Sequence, residues 1–291
     1  MIYIVNNFKI KSKNIKFFKR FPAYKEIEKS LNYDLEVIFV NFAETKNVGK
    51  LIYSHDYIDI FKNDGNYYFY CENKLINTLV FENNQCKVEF SEKISEEAFV
   101  EILLKKILPL FCYETKKAIP FHSTCIYKGE KILGISGASM SGKSTLAASF
   151  ILDEKYELFS DDILLLTFEN QKVLSFRGFY DLKLREESSK YFSQNRLLRE
   201  INVSDDVEKI PINNIVFIKK SNEENINISL IKKNKLQLFL QNLYMSSFCD
   251  FSSEILLKIK NIVENLNFWE IEYPHKYEFL HEVRSNIIER L

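Results

Sequence analysis

The segment ILGISGASMSGKST, residues 132–145, indicates the fold class of this chain. Its central part, GASMSGKS at 137–144, satisfies the pattern G-x-x-x-x-G-K-[ST] at every position. The apolar residues before it predict a buried strand, and TLAASFIL at 145–152 predicts a helix. A glycine-rich loop between a strand and a helix directs its backbone N–H groups towards one anion. The segment therefore predicts a phosphate-binding loop in a mixed α/β fold.

The loop residues have separate expected roles in binding ATP and Mg²⁺. Lys143 is expected to bridge the β- and γ-phosphates, and the Ser144 hydroxyl is expected to bind Mg²⁺. A glycine–serine turn without a ligand is the alternative. The distribution of glycine favours the loop, because four of the seven glycines fall between Gly129 and Gly142. The residues expected to bind the nucleotide are Gly137, Ala138, Ser139, Met140, Ser141, Gly142, Lys143, Ser144 and Thr145.

Two adjacent carboxylates, Asp161 and Asp162, follow the next predicted strand. We expect that strand, residues 157–160, to pair beside the strand that precedes the loop, which would bring its carboxyl end next to the phosphates. One carboxylate can then hold Mg²⁺ while the other accepts a proton from an attacking hydroxyl, and the spacing leaves open which does which. A plain Asp-Asp turn at the surface is the alternative.

One histidine, His122, begins the strand that comes before the loop-bearing strand. A neutral imidazole close to Asp161 could orient that carboxylate and tune its basicity. A structural role at the start of a strand is the alternative, and the residue pattern leaves both open.

The rest of the chain predicts three parts. Residues 1–93 predict a small antiparallel β-rich domain, residues 94–119 a connecting helix, and residues 120–291 the phosphate-loop domain. Ser95 is expected to cap the connecting helix, and Pro109 to kink or end it. Further strands are expected at 35–42, 65–71, 79–81, 123–127, 131–136, 163–168, 214–218 and 269–272, with turns at 63–65 and 83–84, and further helices at 144–152, 235–243, 253–266 and 275–288.

Composition excludes several classes of partner. Lys and Arg total 40 and so do Asp and Glu, and this zero net charge gives no general attraction to nucleic acid or to an anionic membrane. The five cysteines form no Cys-x-x-Cys pair, which favours reduced thiols in the cytoplasm over a zinc site or a disulfide framework. The start of the chain does not read as a signal peptide, and the apolar stretch 99–113 is too short to span a membrane.

Three segments taken in order resemble the catalytic domain of HPr kinase/phosphorylase. They are HST beginning at His122, the loop 137–144, and LFSDD at 158–162, and the resemblance covers roughly residues 120–185. It implies a catalytic core related to phosphoenolpyruvate carboxykinase, with Asp161 as general base, Asp162 on the metal side and His122 in contact with Asp161. It also implies a possible homo-oligomer, since related kinases form hexamers.

Two departures separate this chain from the enzymes that act on HPr. Ser175, in SFRG at 175–178, stands where those enzymes carry a metal-binding Glu, and their later Pro-Gly-Arg-Asn signature is missing. HPr as substrate and the reverse phosphorylase reaction are therefore not implied.

The overall layout is similar to the HPr kinase-like proteins of peptide natural-product clusters, including lasso peptide kinases. The similarity rests on DLKLR at 181–185, on PINNIVFI at 211–218 and on a closing Tyr-Pro at 273–274. That branch phosphorylates a serine hydroxyl of a precursor peptide. It implies that Arg177, Lys183 and Arg185 contact phosphate or an acidic peptide end, with a solvated basic rim as the alternative.

Three functions follow as hypotheses. The first is an ATP- and Mg²⁺-dependent kinase that acts on a Ser or Thr hydroxyl of a peptide or small protein, such as a natural-product precursor peptide. The second is a kinase for a small metabolite. The third is a nucleotide-binding regulator without transferase activity, in which the N-terminal domain recognises a partner.

Overall fold

In the computed structural model the chain divides into two compact units, Met1–Thr115 with Ser247–Asp250, and Lys116–Ser246 with Phe251–Leu291. The predicted three-part division of the chain remains a prediction. The structure describes residues 2–5, 8–13, 34–42, 49–55, 58–82, 85–116, 118–129, 131–178, 181–194, 196–198, 209–244, 246–248 and 251–290.

The first unit contains one sheet with the strand order β1-β2-β3-β8-β7-β6-β5-β4. The prediction of a purely antiparallel sheet is wrong, because β3 pairs in parallel with both β2 and β8. Parallel neighbours need a long crossover rather than a hairpin, and the local turn signals in the sequence do not reveal such crossovers. The strands are β1 (Ile2–Val5), β2 (Phe8–Ser12), β3 (Leu35–Val40), β4 (Lys50–His55), β5 (Ile58–Asn63), β6 (Asn66–Cys71), β7 (Lys74–Glu82) and β8 (Gln85–Ser91).

The predicted turn at 63–65 is confirmed. It joins β5 to β6, with positive φ angles of 47° at Asp64 and 80° at Gly65. Two successive positive φ angles match the twist of an antiparallel hairpin, which is why Asp-Gly is a strong hairpin signal. The turn predicted at 83–84 lies outside the described residues.

The predicted connecting helix is present, and it begins as expected. Ser95 caps α1 (Glu96–Ile102) through its side-chain oxygen, which accepts a bond from the Ala98 N–H. A π turn at Leu103–Ile107 leads into α2 (Leu108–Lys116). Of the two outcomes predicted for Pro109, a kink or an end of the helix, the end does not occur: the chain stays helical through Pro109, and the π turn directly before it interrupts the α-helical pattern. The π turn widens the backbone immediately before Pro109, so the proline ring and its missing N–H fall at the start of a new α stretch, where both are tolerated.

Among its described residues, the second unit holds three sheets. The strands are β9 (Ile119–His122), β10 (Thr124–Lys128), β11 (Lys131–Ser136), β12 (Glu157–Ser160), β13 (Ile163–Glu169), β14 (Lys172–Phe176), β15 (Asp181–Lys183), β16 (Arg196–Leu198), β17 (Lys209–Pro211), β18 (Asn214–Lys220), β19 (Asn227–Leu230) and β20 (Asn267–Tyr273). The helices are α3 (Lys143–Glu154), α4 (Glu186–Phe192), α5 (Lys235–Gln241), α6 (Ser253–Glu264) and α7 (Leu280–Arg290), with short 3₁₀ turns at Ser246–Phe248 and Tyr277–Phe279.

The largest of these sheets has the order β12-β10-β11-β18-β20-β19. The prediction that β12 pairs beside β11 is wrong, because β10 lies between them and pairs with both in the antiparallel sense. Two antiparallel steps restore the strand direction, so β12 and β11 still run the same way. The carboxyl end of β12 therefore reaches the same edge of the sheet as the phosphate-binding loop.

Helix α3 is anchored on both sides. Its buried residues Leu146, Ala147 and Phe150 belong to one core cluster with residues of β10, β11 and α7. At its carboxyl end the buried Arg284 of α7 pairs with Asp153 at 2.8 Å. A helix held in this way gives the loop at its amino end a fixed position.

A second sheet has the order β17-β14-β13-β9 and carries Pro120 on its edge strand β9. An edge position suits proline, which has no N–H to donate to a further strand. Among the described residues, no helix is both long enough and apolar enough to cross a bilayer.

Gly178 marks a close approach that fixes the end of β12. A Cβ added there would lie 2.8 Å from the Ser160 Cβ and would collide with the Ser160 hydroxyl. Only a residue without a side chain lets the two segments meet at this distance.

We predict that Gly178→Ala lowers the free energy of unfolding by about 1–3 kcal/mol, because the added methyl forces the backbone apart. Urea denaturation would measure this loss. Asn222→Ala, at an exposed position, should change stability by less than about 0.5 kcal/mol. Equal stability of Gly178→Ala and the wild type would contradict the packing described for Ser160.

Candidate phosphate-binding site

The loop between β11 and α3 has a backbone that most side chains would prevent. Gly137 has φ +141°, and a Cβ there would lie 2.8 Å from the Ile218 carbonyl oxygen of β18. Gly142 has φ +87° and forms the amino end of α3. Met140, at the tip, also has a positive φ and is 74% exposed. Both glycines therefore adopt backbone conformations that side chains disfavour.

Lys143 lies almost completely inside the loop, with 7% of its surface exposed. Its Nζ donates hydrogen bonds to the carbonyl oxygens of Gly137 at 3.1 Å and Ala138 at 3.0 Å. Burial lowers the pKa of Lys143, while the negative charges of Asp162 and Asp161 raise it. The charges of both carboxylates thus act on this buried cation.

The interior of the loop holds a polar atom that suits an anion. The Ser141 side-chain oxygen is buried and has no hydrogen-bond partner in the described structure. The position of a Cβ added to Gly137 would be 2.9 Å from it, so the hydroxyl lies within the turn of the loop. An unpaired buried hydroxyl is costly, and a phosphate oxygen would satisfy it. The loop therefore fits a phosphate group on its own geometry.

Asp161 is held in a defined orientation next to the loop. Its side chain is 8% exposed, and its Oδ1 accepts a hydrogen bond of 3.0 Å from the Thr124 hydroxyl of β10. The Ile163 N–H donates to the Asp161 carbonyl at 2.7 Å and closes a three-residue turn around Asp162. Asp162 has φ +60°, a conformation that non-glycine residues adopt at a cost and that clusters at functional sites.

His122 contacts the backbone of this turn. Its Nδ1 lies 3.0 Å from the Asp162 carbonyl oxygen, which also accepts from the Ser123 N–H at 3.2 Å. A carbonyl oxygen can only accept, so His122 donates this hydrogen bond and its Nδ1 carries a proton. The ring stacks near Tyr244, with centroids 6.4 Å apart. His122 thus helps hold the strained turn that presents Asp162.

The three cationic residues expected at a substrate site have different surroundings. Arg177 is buried, and its guanidinium lies over the Tyr127 ring at 5.3 Å from the centroid. Arg185 is exposed just before α4, and its charge lowers the pKa of Lys143, so it lies near the loop. Lys183 belongs to β15, and its side chain is outside the described part of the structure.

Two residues near the loop were not expected from the sequence. Thr124 directs Asp161, and the only signal for it is its place two residues after His122. Tyr273 ends β20 with its hydroxyl oxygen 3.7 Å from the position of a Cβ added to Gly142, and burial raises the pKa of this phenol well above its usual range. Because β20 runs parallel to β18, and β18 to β11, their carboxyl ends meet at the loop.

The residues expected to bind Mg²⁺ are chemically suited to it. Ser144 lies in the first turn of α3 and Asp162 in the neighbouring turn, and both are half-buried. Within the described ranges, no group of three or more His, Cys, Asp or Glu side chains is arranged around a metal position. Mg²⁺ usually takes one or two protein ligands and completes its shell with water and phosphate oxygens, so this sparse donor set fits it.

Comparison with known proteins finds likenesses among solved structures. No protein-family model matches the chain, and no curated protein does. Among solved structures, the chain is similar to the Hpr(Ser) kinase/phosphatase from Coxiella burnetii, with a TM-score of 0.33 and 12% sequence identity. The aligned region covers 59% of this chain and 95% of that one.

We predict that Lys143→Met weakens the binding of inorganic tripolyphosphate at least about tenfold, because the buried cation that faces the anion is lost. Isothermal titration calorimetry would measure the affinity. Lys172→Met removes an exposed cation on β14 and should leave the affinity unchanged. Similar losses in both variants would mean that the anion binds to general surface charge.

Proposed function

We propose that this chain is an ATP-dependent kinase of the cytoplasm that transfers the γ-phosphate to a Ser or Thr hydroxyl of a peptide or small protein. One observation carries the proposal: the Thr124 hydroxyl bonds to the buried carboxylate of Asp161, and the charges of Asp161 and Asp162 raise the pKa of the buried Lys143 of the phosphate loop. An anion-binding loop opposite an oriented base is the arrangement that phosphoryl transfer requires.

The loop residues position and neutralise the triphosphate. The backbone N–H groups at 137–144 and the Ser141 hydroxyl bind phosphate oxygens, and Lys143 turns from the Gly137 and Ala138 carbonyls towards the β- and γ-phosphates. Mg²⁺, held by Ser144 and Asp162, would neutralise part of the phosphate charge. Little covalent chemistry is left for the protein beyond orienting the acceptor and receiving its proton.

One base is sufficient for the transfer of the phosphoryl group, because only one proton has to be accepted. The acceptor O–H bond breaks and its proton moves to the Asp161 carboxylate, the acceptor oxygen forms a bond to the γ-phosphorus, and the bond from that phosphorus to the β,γ-bridging oxygen breaks to release ADP. Asp161 is favoured over Asp162 as the base because its carboxylate is fixed by Thr124. Asp162, whose backbone carbonyl oxygen accepts from His122 and Ser123, is the carboxylate that the resemblance assigns to the metal side.

The proposed acceptor rests on the resemblance to kinases that modify precursor peptides. Arg185 supports it, because an exposed cation next to the loop can bind an acidic peptide end or the transferring phosphate. Arg177 and Lys183 remain predicted contacts of the same substrate.

We predict that Asp161→Asn abolishes transfer and leaves ATP affinity within about threefold, because the amide keeps the shape but cannot accept the proton. The wild type and the variant would be incubated with ATP, Mg²⁺ and a set of Ser- and Thr-containing peptides and small alcohols. Mass spectrometry would detect the phosphorylated product, and ADP release would give the rate.

The same experiment separates the competing functions. Phosphopeptides made by the wild type and lost in Asp161→Asn would support the proposal. Phosphorylated small molecules alone would indicate a metabolite kinase. ATP binding without ADP or phosphoproduct would indicate a nucleotide-binding regulator. Normal transfer by Asp161→Asn would show that the base has been misidentified.

We also predict that Thr124→Val lowers kcat about tenfold or more with little change in the Kd for ATP. The hydroxyl bond to a buried carboxylate is worth about 1.5–3 kcal/mol, and its loss removes one restraint on the position of the base. Thr124→Ser keeps the hydroxyl and should retain most of the rate. Steady-state kinetics would test both variants, and equal rates for Val and Ser would rule out this role for Thr124.

A further inference from the structure

We propose that the exposed ring of Tyr191 stacks against the base of the nucleotide whose phosphates bind at 137–144, and this inference rests on the proposed function. A series of contacts, here called the path, connects the phosphate loop to this ring. It runs from Thr145 through Ser188 and Tyr277 to Tyr191.

The path begins in the first turn of α3. The Thr145 hydroxyl, one residue after Ser144, lies 2.8 Å from the Ser188 hydroxyl of α4. The Ser188 oxygen lies in turn 3.2 Å from the Tyr277 hydroxyl. Ser188 is buried, so these contacts are protected from competing water. The path fixes α4 and Tyr277 relative to the residues that hold the phosphates.

The path ends in an aromatic pair with one exposed member. The Tyr191 and Tyr277 rings are nearly parallel, with centroids 4.3 Å apart and an angle of 12° between them. Phe192 packs edge-on against Tyr191 at 4.9 Å. Tyr277 is half-buried, whereas Tyr191 is 53% exposed. A large ring that is stacked on a supporting ring and still about half exposed offers a rigid surface for a flat ligand.

The length of α4 between Arg185 and Tyr191 is comparable to the reach of a nucleoside. Arg185, directly before α4, lies close enough to Lys143 to affect its pKa. Tyr191 follows six residues later, about 9 Å along a helix that rises 1.5 Å per residue. A ribose and an α-phosphate bridge a separation of this order between the phosphates and the base.

Stacking explains both the affinity and the chemical class of the ligand. A purine presents a π-face that stacks on an aromatic side chain, and such a contact is typically worth enough to change affinity about tenfold or more. The inner ring of Tyr277 supports the Tyr191 ring from behind, so little side-chain entropy is lost when the base arrives.

The test compares ATP with inorganic tripolyphosphate, which carries the phosphates without the base. We expect Tyr191→Ala to weaken ATP binding about tenfold or more and to leave tripolyphosphate binding within about twofold. Tyr191→Phe keeps the ring and should bind ATP within about threefold of the wild type. Phe251→Ala removes an exposed ring elsewhere, 43% exposed, and should change neither affinity.

The outcomes separate this inference from the proposed function. If Tyr191→Ala binds both tripolyphosphate and ATP as tightly as the wild type, the inference is overturned and the proposed function is unaffected. Equal weakening of both ligands would also overturn it, because the ring would then support the loop rather than the base. A variant that loses only affinity for the acceptor peptide would assign the ring to the acceptor and overturn it. Failure of the wild type to bind either ligand would overturn the proposed function together with the inference.

Discussion

The hydrogen bond from the Thr124 hydroxyl to the Asp161 carboxylate is the contact on which the site depends. Thr124 begins β10, the strand inserted between the strand that leads into the phosphate loop and the strand that ends before Asp161. The inserted strand keeps the two ends at one edge of the sheet but separates them by a strand width. The hydrogen bond from Thr124 of β10 to Asp161 therefore helps set the distance between the anion site and the base, and the sheet maintains that distance.

The charges at the loop balance one another in a way that prepares the site for an anion. Lys143 is buried, and a buried ammonium group is tolerated only with compensating partners. Two carbonyl oxygens and the field of two carboxylates supply that compensation. A bound triphosphate brings far more negative charge to the same cation, so Lys143 can exchange its backbone partners for phosphate oxygens without losing compensation.

The sequence pattern correctly predicted those parts of the fold that depend on interactions between residues close together in the chain. The loop 137–144, the strand before it, the helix after it, the Ser95 cap and the turn at Gly65 follow from glycine placement, capping and apolar periodicity. The errors concern partners that are distant in sequence: the parallel pairing of β3, and the insertion of β10 beside β12. At the site, Asp161 and Lys143 were evident from spacing, whereas the roles of Thr124 and Tyr191 depend on tertiary contacts that no spacing reveals.

The contact between Gly178 and Ser160 restricts how this protein can change over evolutionary time. Position 178 excludes every Cβ while position 160 carries a side chain, so the two positions are expected to vary together. A homologue that acquires a larger residue at 178 would need a smaller one at 160, directly before the acidic turn. Paired substitution at these positions would thus identify distant homologues that keep the same backbone conformation before Asp161, even where overall sequence identity is low.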